Sequence, residues 1–122
     1  MKVLFGLHAD SDSLGALEGI VDRVRSVEDE LTVAVLEHPD GEGSMAETEA
    51  AVRGVLDGRL PEAEIRQVEG HPGSRLVEIA ESEGFDRIVL GGGEQSPMGK
   101  IRIGSISEFV LLNSHVSVTL LR

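Results

Sequence analysis

The chain has no cysteine among its 122 residues. That absence excludes a disulfide framework, a thiolate metal site and a cysteine nucleophile. It also lacks any apolar run long enough to cross a bilayer. The opening stretch, MKVLFGLHADSD, carries one lysine and a short apolar run broken by His8 and Asp10. It is read as a first strand and not a signal peptide, and a cytoplasmic location with no membrane partner is expected. Lysine is nearly missing, occurring only at Lys2 and Lys100, and no basic patch is visible. With a net charge of −11, nucleic acid is excluded as a general partner, because phosphate contacts need clustered basic residues.

What is present is an alternation of two periodicities. Residues 2–7, 31–36, 63–68, 87–90 and 116–121 are short β-type runs, and apolar residues recur between them at helical spacing. Leu14, Leu17, Ile20, Val21, Val24 and Val27 predict a helix over 13–27, behind a turn and cap cluster at Asp10 to Ser13. Met45, Ala51, Val52, Val55 and Leu56 predict a weaker helix opened by Ser44. Gly70 to Gly73 reads as a turn, after which Ser74 leads a helix with Leu76, Val77, Ile79 and Ala80 as its buried stripe. Gly84 closes that helix where a left-handed residue is wanted. A last helix runs from Ser105 to about Asn113 on Ile106, Phe109 and Val110. The length suits one domain, and strands alternating with helices imply a parallel sheet covered on both faces.

The stretch Arg87 to Ser107 organises the rest. A buried strand (Ile88, Val89, Leu90) runs into Gly91, Gly92 and Gly93, and Gly104 precedes a helix that Ser105 is placed to cap. Glycines bring backbone N–H groups close to a ligand, and a helix start offers unpaired donors at the positive end of a dipole. In a sheet of order 3-2-1-4-5 the strand order reverses between the first and fourth strands, where α/β proteins bind ligands. This stretch ends the fourth strand at that point.

These residues resemble the universal stress protein family. Its hallmark is a glycine, two residues, a second glycine, nine residues, then glycine followed by serine or threonine. Gly91, Gly104 and Ser105 stand at that spacing, with Lys100, Ile101 and Ile103 similar to the loop's usual basic and apolar positions. Val68 to Pro72 resembles the family's glycine-x-proline turn, and Ala80 to Gly91 its approach to the fourth strand. The resemblance implies a five-stranded parallel doubly wound sheet, order 3-2-1-4-5, with helices on both faces, flavodoxin-like and similar to the adenine nucleotide alpha hydrolases. It implies a phosphate side at Gly91, Gly104, Ser105 and Ser107, beside Gly92 and Gly93 of the glycine loop. The nucleoside side would lie at His8 and Asp10, after the first strand.

The chain departs from the pattern on both walls. Glu94 stands where the second glycine belongs, and His8 where an aspartate would contact the nucleoside. A carboxylate a few Å from a triphosphate costs a few kcal/mol at an effective dielectric near 20. Weak or lost ATP binding is therefore expected unless a divalent cation bridges Glu94 to phosphate. The resulting expectation is a stress-response binding or regulatory module with an unspecified protein partner, not an enzyme. The alternatives are an ATP-binding switch and a phosphoryl-transfer enzyme using Asp10 and Asp12. Ser105 as nucleophile has no histidine base placed beside it.

Two further features stand apart from the loop. His8, His38 and His71 follow three neighbouring strands and would suit a divalent metal, but those strands span about 10 Å, wide for one ion. Val116 to Leu121 would be an edge strand with no lysine or proline to protect it. Members of the family commonly dimerise there, so a two-fold homodimer is expected.

The 22 acidic residues against 11 basic ones fit a protein from a salt-accumulating, halophilic cytoplasm, where screening removes self-repulsion. An ordinary acidic solvated face is the other reading of the same charge. Thermal melts decide between them. The melting temperature is expected to rise from dilute buffer to molar salt, and equal stability in both removes the argument.

Overall fold

The computed structural model describes residues 1–7, 11–37, 45–91 and 105–121. The elements alternate along the chain: β1 (Lys2–Leu7), α1 (Ser11–Val27), β2 (Glu30–Leu36), α2 (Met45–Asp57), β3 (Glu64–Val68), α3 (Pro72–Ser82), β4 (Arg87–Gly91), α4 (Ser105–Asn113) and β5 (Ser117–Leu121). The strands form one five-stranded sheet in the order β3-β2-β1-β4-β5, and every neighbouring pair is parallel. The expected order and class are both found.

Side-chain alternation along β1 explains the layers. Val3, Phe5 and Leu7 point to one face, where they meet Leu17, Ile20, Val21 and Val24 of α1 and Val52 and Leu56 of α2. Leu4 points to the other face, toward Leu76, Ile79 and Ala80 of α3 and Val110 of α4. Each buried Leu or Phe contributes about 1.5–3 kcal/mol. Strands covered on both sides therefore read as unbroken apolar runs.

Two glycines set how closely the second helical layer sits. A Cβ on Gly6 would lie 2.8 Å from Leu76 Cδ1 and 2.9 Å from Leu90 Cδ2, so its absence lets α3 settle on β1. A Cβ on Gly73 would lie 2.8 Å from Phe109 Cδ1, which brings α3 and α4 together. Gly84 has φ +71°, as its place after α3 predicts. Glu28, not a glycine, takes the same region after α1, at φ 58°.

β3 is less buried than β1, β2 and β4 and lies at the sheet edge, as its polar pattern predicts. Arg66 ties it down. Its Nε donates to Glu64 at 2.6 Å and its Nη2 to Glu83, beyond α3, at 2.6 Å. The hydrogen bonds from Arg66 hold the Glu83 carboxyl below the usual carboxylate range, and Arg66 is in turn held more firmly protonated. A lowered carboxyl favours the fold above its unfolded range, and that support is lost as pH falls through the folded value. Lys2 Nζ donates to the Glu83 carbonyl at 2.8 Å and stands 4.7 Å from the centre of the Phe85 ring.

Several boundaries differ from expectation. α1 starts at Ser11 and not residue 13, because the unpaired N–H groups of a first turn tolerate serine and aspartate well. α3 starts at Pro72 and not Ser74, because proline's fixed φ and missing N–H suit a first helical position. Val27 is 54% exposed, and Ala51 is exposed while Thr48 is buried in α2. The third and fifth strands each begin one residue later than expected.

The glycines give a paired test. Gly73→Ala forces a methyl against Phe109 and is expected to destabilise by about 1–3 kcal/mol. Gly54→Ala, inside α2 with nothing within 4 Å of its added Cβ, is expected to stabilise by about 0.5–1 kcal/mol. Urea midpoints of both variants check this, and a neutral Gly73→Ala would remove the close-approach argument.

Candidate functional site

The order of strands locates the site. β1 and β4 lie side by side at the sheet centre, with Gly6 opposite Leu90, so Leu7 and Gly91 end two adjacent strands at the same edge. From there the chain departs in opposite directions. After β1 it enters α1, which packs on one face, and after β4 it enters α4, which packs on the other. A crevice between diverging connections is what this topology provides at its switch point.

Of the residues expected to line it, three fall within the described chain. Gly91 is the last residue of β4, Ser105 the first of α4, and Ser107, 7% exposed, is buried near the start of that helix. The first N–H groups of α4 have no partner inside the helix, which is the donor set an anion needs. Glu108, in the same turn, is exposed. Gly92, Gly93, Glu94, Gly104, His8 and Asp10 lie outside the described residues. So do His38 and the other loop positions of the metal reading. Among the described residues no group of three or more His, Asp or Glu side chains is placed to hold a metal ion.

His71 has a definite task. It is the N-cap of α3, in extended conformation at φ −66° and ψ 113°, and its Nδ1 accepts the Ser74 N–H at 3.1 Å. The ring also packs on Phe109 of α4, with centroids 5.0 Å apart and planes tilted by 58°. The turn before it is fixed from the sheet: Gly70, at φ +95°, donates its N–H to Glu37 Oε2 at 3.1 Å, just beyond β2. The carboxyl edges of β2 and β3 are thereby joined to the starts of α3 and α4. Proline at 72 was the available sequence signal for this cap, since proline favours the first helical position. Glu37 gave no signal.

A cleft of about 610 Å³ opens elsewhere, lined by Val24, Arg25, Glu28, Arg59, Leu60 and Glu62 among others. It lies where α1 ends and β2 begins, at the amino edge of the sheet. That is the edge opposite the switch point, and its rim is mostly charged. Among the described residues no helix is long and apolar enough to cross a membrane.

Comparison with known proteins agrees with this layout. The model of the universal stress protein family matches residues 1–122. A universal stress protein from Archaeoglobus fulgidus superposes with TM-score 0.81 at 18% identity, over 100% of this chain and 98% of that one. A universal stress protein in complex with cAMP gives TM-score 0.76 at 24% identity, over 100% and 96% of the two chains. The Archaeoglobus fulgidus universal stress protein in complex with dAMP gives TM-score 0.76 at 16% identity, over 100% and 98%. Comparison with curated proteins gives no match. The chain belongs to the universal stress protein family.

Proposed function

We propose that this chain is a stress-response binding or regulatory module whose switch-point site takes an adenine nucleotide weakly, and that it is not a catalyst. The observation that supports the reading is that β1 and β4 end side by side at the carboxyl edge, with Gly91 the last residue of β4 and Ser105 and Ser107 in the first turn of α4, the next element in the chain. The sequence supplies the limit: Glu94 replaces a motif glycine, and His8 stands at the nucleoside position. Two similar folds hold cAMP and dAMP, which supports a small adenine nucleotide as the ligand class. A monophosphate brings less charge toward Glu94 than a triphosphate does. A divalent cation between Glu94 and the phosphates would lower the repulsion, which leaves an ATP-operated switch as the second reading.

Calorimetric titration with AMP and ATP, each with and without magnesium, separates the two. Wild type is expected to bind ATP weakly without magnesium. Glu94→Gly is expected to tighten ATP by at least tenfold, equivalent to about 1.4 kcal/mol. Tight magnesium-independent ATP binding by wild type overturns the reading. No nucleotide is expected to co-purify in native mass spectrometry.

The same proposal includes a homodimer through β5. Among the described residues that strand pairs only with β4, and it keeps Val118, Leu120 and Leu121 half-buried. Its outer backbone groups face away from β4, as an open edge does. Sedimentation at molar salt is expected to give twice the 13.0 kDa chain mass. A monomer at micromolar concentration overturns it.

A further inference from the structure

The cap of α3 is chemically unusual. Ser, Thr, Asp and Asn are the common N-caps, and their oxygens accept the helix N–H at any ordinary pH or, for Asp, over most of the range. Here the acceptor is the Nδ1 lone pair of His71. Accepting there requires neutral imidazole with its hydrogen on Nε2. A second proton occupies Nδ1, removes the only lone pair that faces Ser74 N–H, and sets a positive charge at the positive end of the helix dipole. His71 is exposed, so protons reach it freely.

The surroundings decide whether that proton would be offset. On α3 the nearest charges are Arg75, whose N–H bonds the His71 carbonyl at 3.0 Å, and Glu78, which is paired with Arg75. From just beyond β2 comes Glu37, whose carboxylate takes the Gly70 N–H. The preceding loop contributes exposed Glu69 and α4 contributes exposed Glu108. Against the ring itself stands the uncharged Phe109. Among the described residues no carboxylate bonds the imidazole, in contrast to His115, whose Nδ1 meets Glu81.

We propose that His71 is a proton-operated cap, which holds the first turn of α3 against α4 when neutral and releases it when protonated. The release falls on a joint. Gly73 lies directly under Phe109, and α4 is the helix whose first turn the proposed function assigns to the anion site, on which this part of the inference rests. Loosening the start of α3 therefore frees the helix that borders the anion donors. Mild acid acts as the ligand, and the bistable element is one helical turn.

The test compares wild type with His71→Asn, which keeps a strong cap but does not titrate, and with His71→Ala, which keeps neither property. Melting temperatures and amide exchange at Ser74 to Val77 are measured from pH 8 to pH 5. Wild type is expected to lose several °C more than His71→Asn over that range, with exchange in the first turn of α3 roughly fivefold faster at the acid end. His71→Ala is expected to melt several °C below wild type at pH 8, with the excess acid loss gone. Every other ionisable group is common to the three proteins, so its contribution cancels in the difference. Parallel curves for wild type and His71→Asn overturn the proposal, whether or not His71→Ala folds.

Discussion

Burial of β1 on both faces is the constraint from which the rest follows. Leu4, Phe5 and Leu7 have no exposed surface, and they can be covered only if helices lie on each side of the sheet. Right-handed crossovers then dictate the arrangement: two units wind toward β3 over one face, and two wind toward β5 over the other. The reversal necessarily falls beside β1, so the strand that organises the core also fixes one wall of the site. Gly6 shows how tight this is. The same residue that removes a side chain from the central strand gives Leu76 its place.

A second level of order joins the helices of one face. His71, Gly73 and Phe109 form a compact contact in which a cap, a missing side chain and a ring depend on each other. Its position at the carboxyl edge matters. The amino edge is held by charges, with Arg66 bridging Glu64 and Glu83 and Asp86 accepting the Lys2 N–H at 2.7 Å. At the starts of α3 and α4 the carboxyl edge is held by a neutral hydrogen bond and aromatic packing, beside the Glu37 carboxylate that takes the Gly70 N–H. Screening by salt weakens the first set and leaves the second almost untouched.

The fold was legible where apolar periodicity was strong. β1, β2, β4 and the stripes of α1 and α3 follow directly from it, and the polar pattern of Glu64 to Gln67 placed β3 at an edge. Helix starts were less legible. Histidine, proline and glycine together suggest a turn, and only the geometry of Ser74 N–H on Nδ1 makes them a cap. Thr48 inside and Val27 outside reverse their hydrophobicity, because helix ends and faces are set by packing that no short window contains. For the candidate site, glycine spacing pointed to Gly91 and Ser105 and the family resemblance to Ser107, while strand order alone gives the edge at which β4 ends. Glu37 was invisible, since its role depends on a loop that only folding brings to it.

The net charge of −11 bears on the site as well as on the surface. In dilute buffer, where the Debye length reaches about 30 Å at 0.01 M, the whole acidic surface repels a nucleotide before it arrives. At molar salt that length falls to about 3 Å, and only groups touching the ligand still count. Under the proposed function, backbone donors at the start of α4 would be such groups, and they carry no charge that salt can take away. Salt would therefore remove the general repulsion while leaving the local attraction, the reverse of its effect on sites built from lysine and arginine. A site made of glycine, serine and helix N–H groups is the kind that a strongly acidic protein can keep. Under the proposed function, Glu94, by its place in the motif, and Glu108, in the first turn of α4, are the acidic residues that would oppose it.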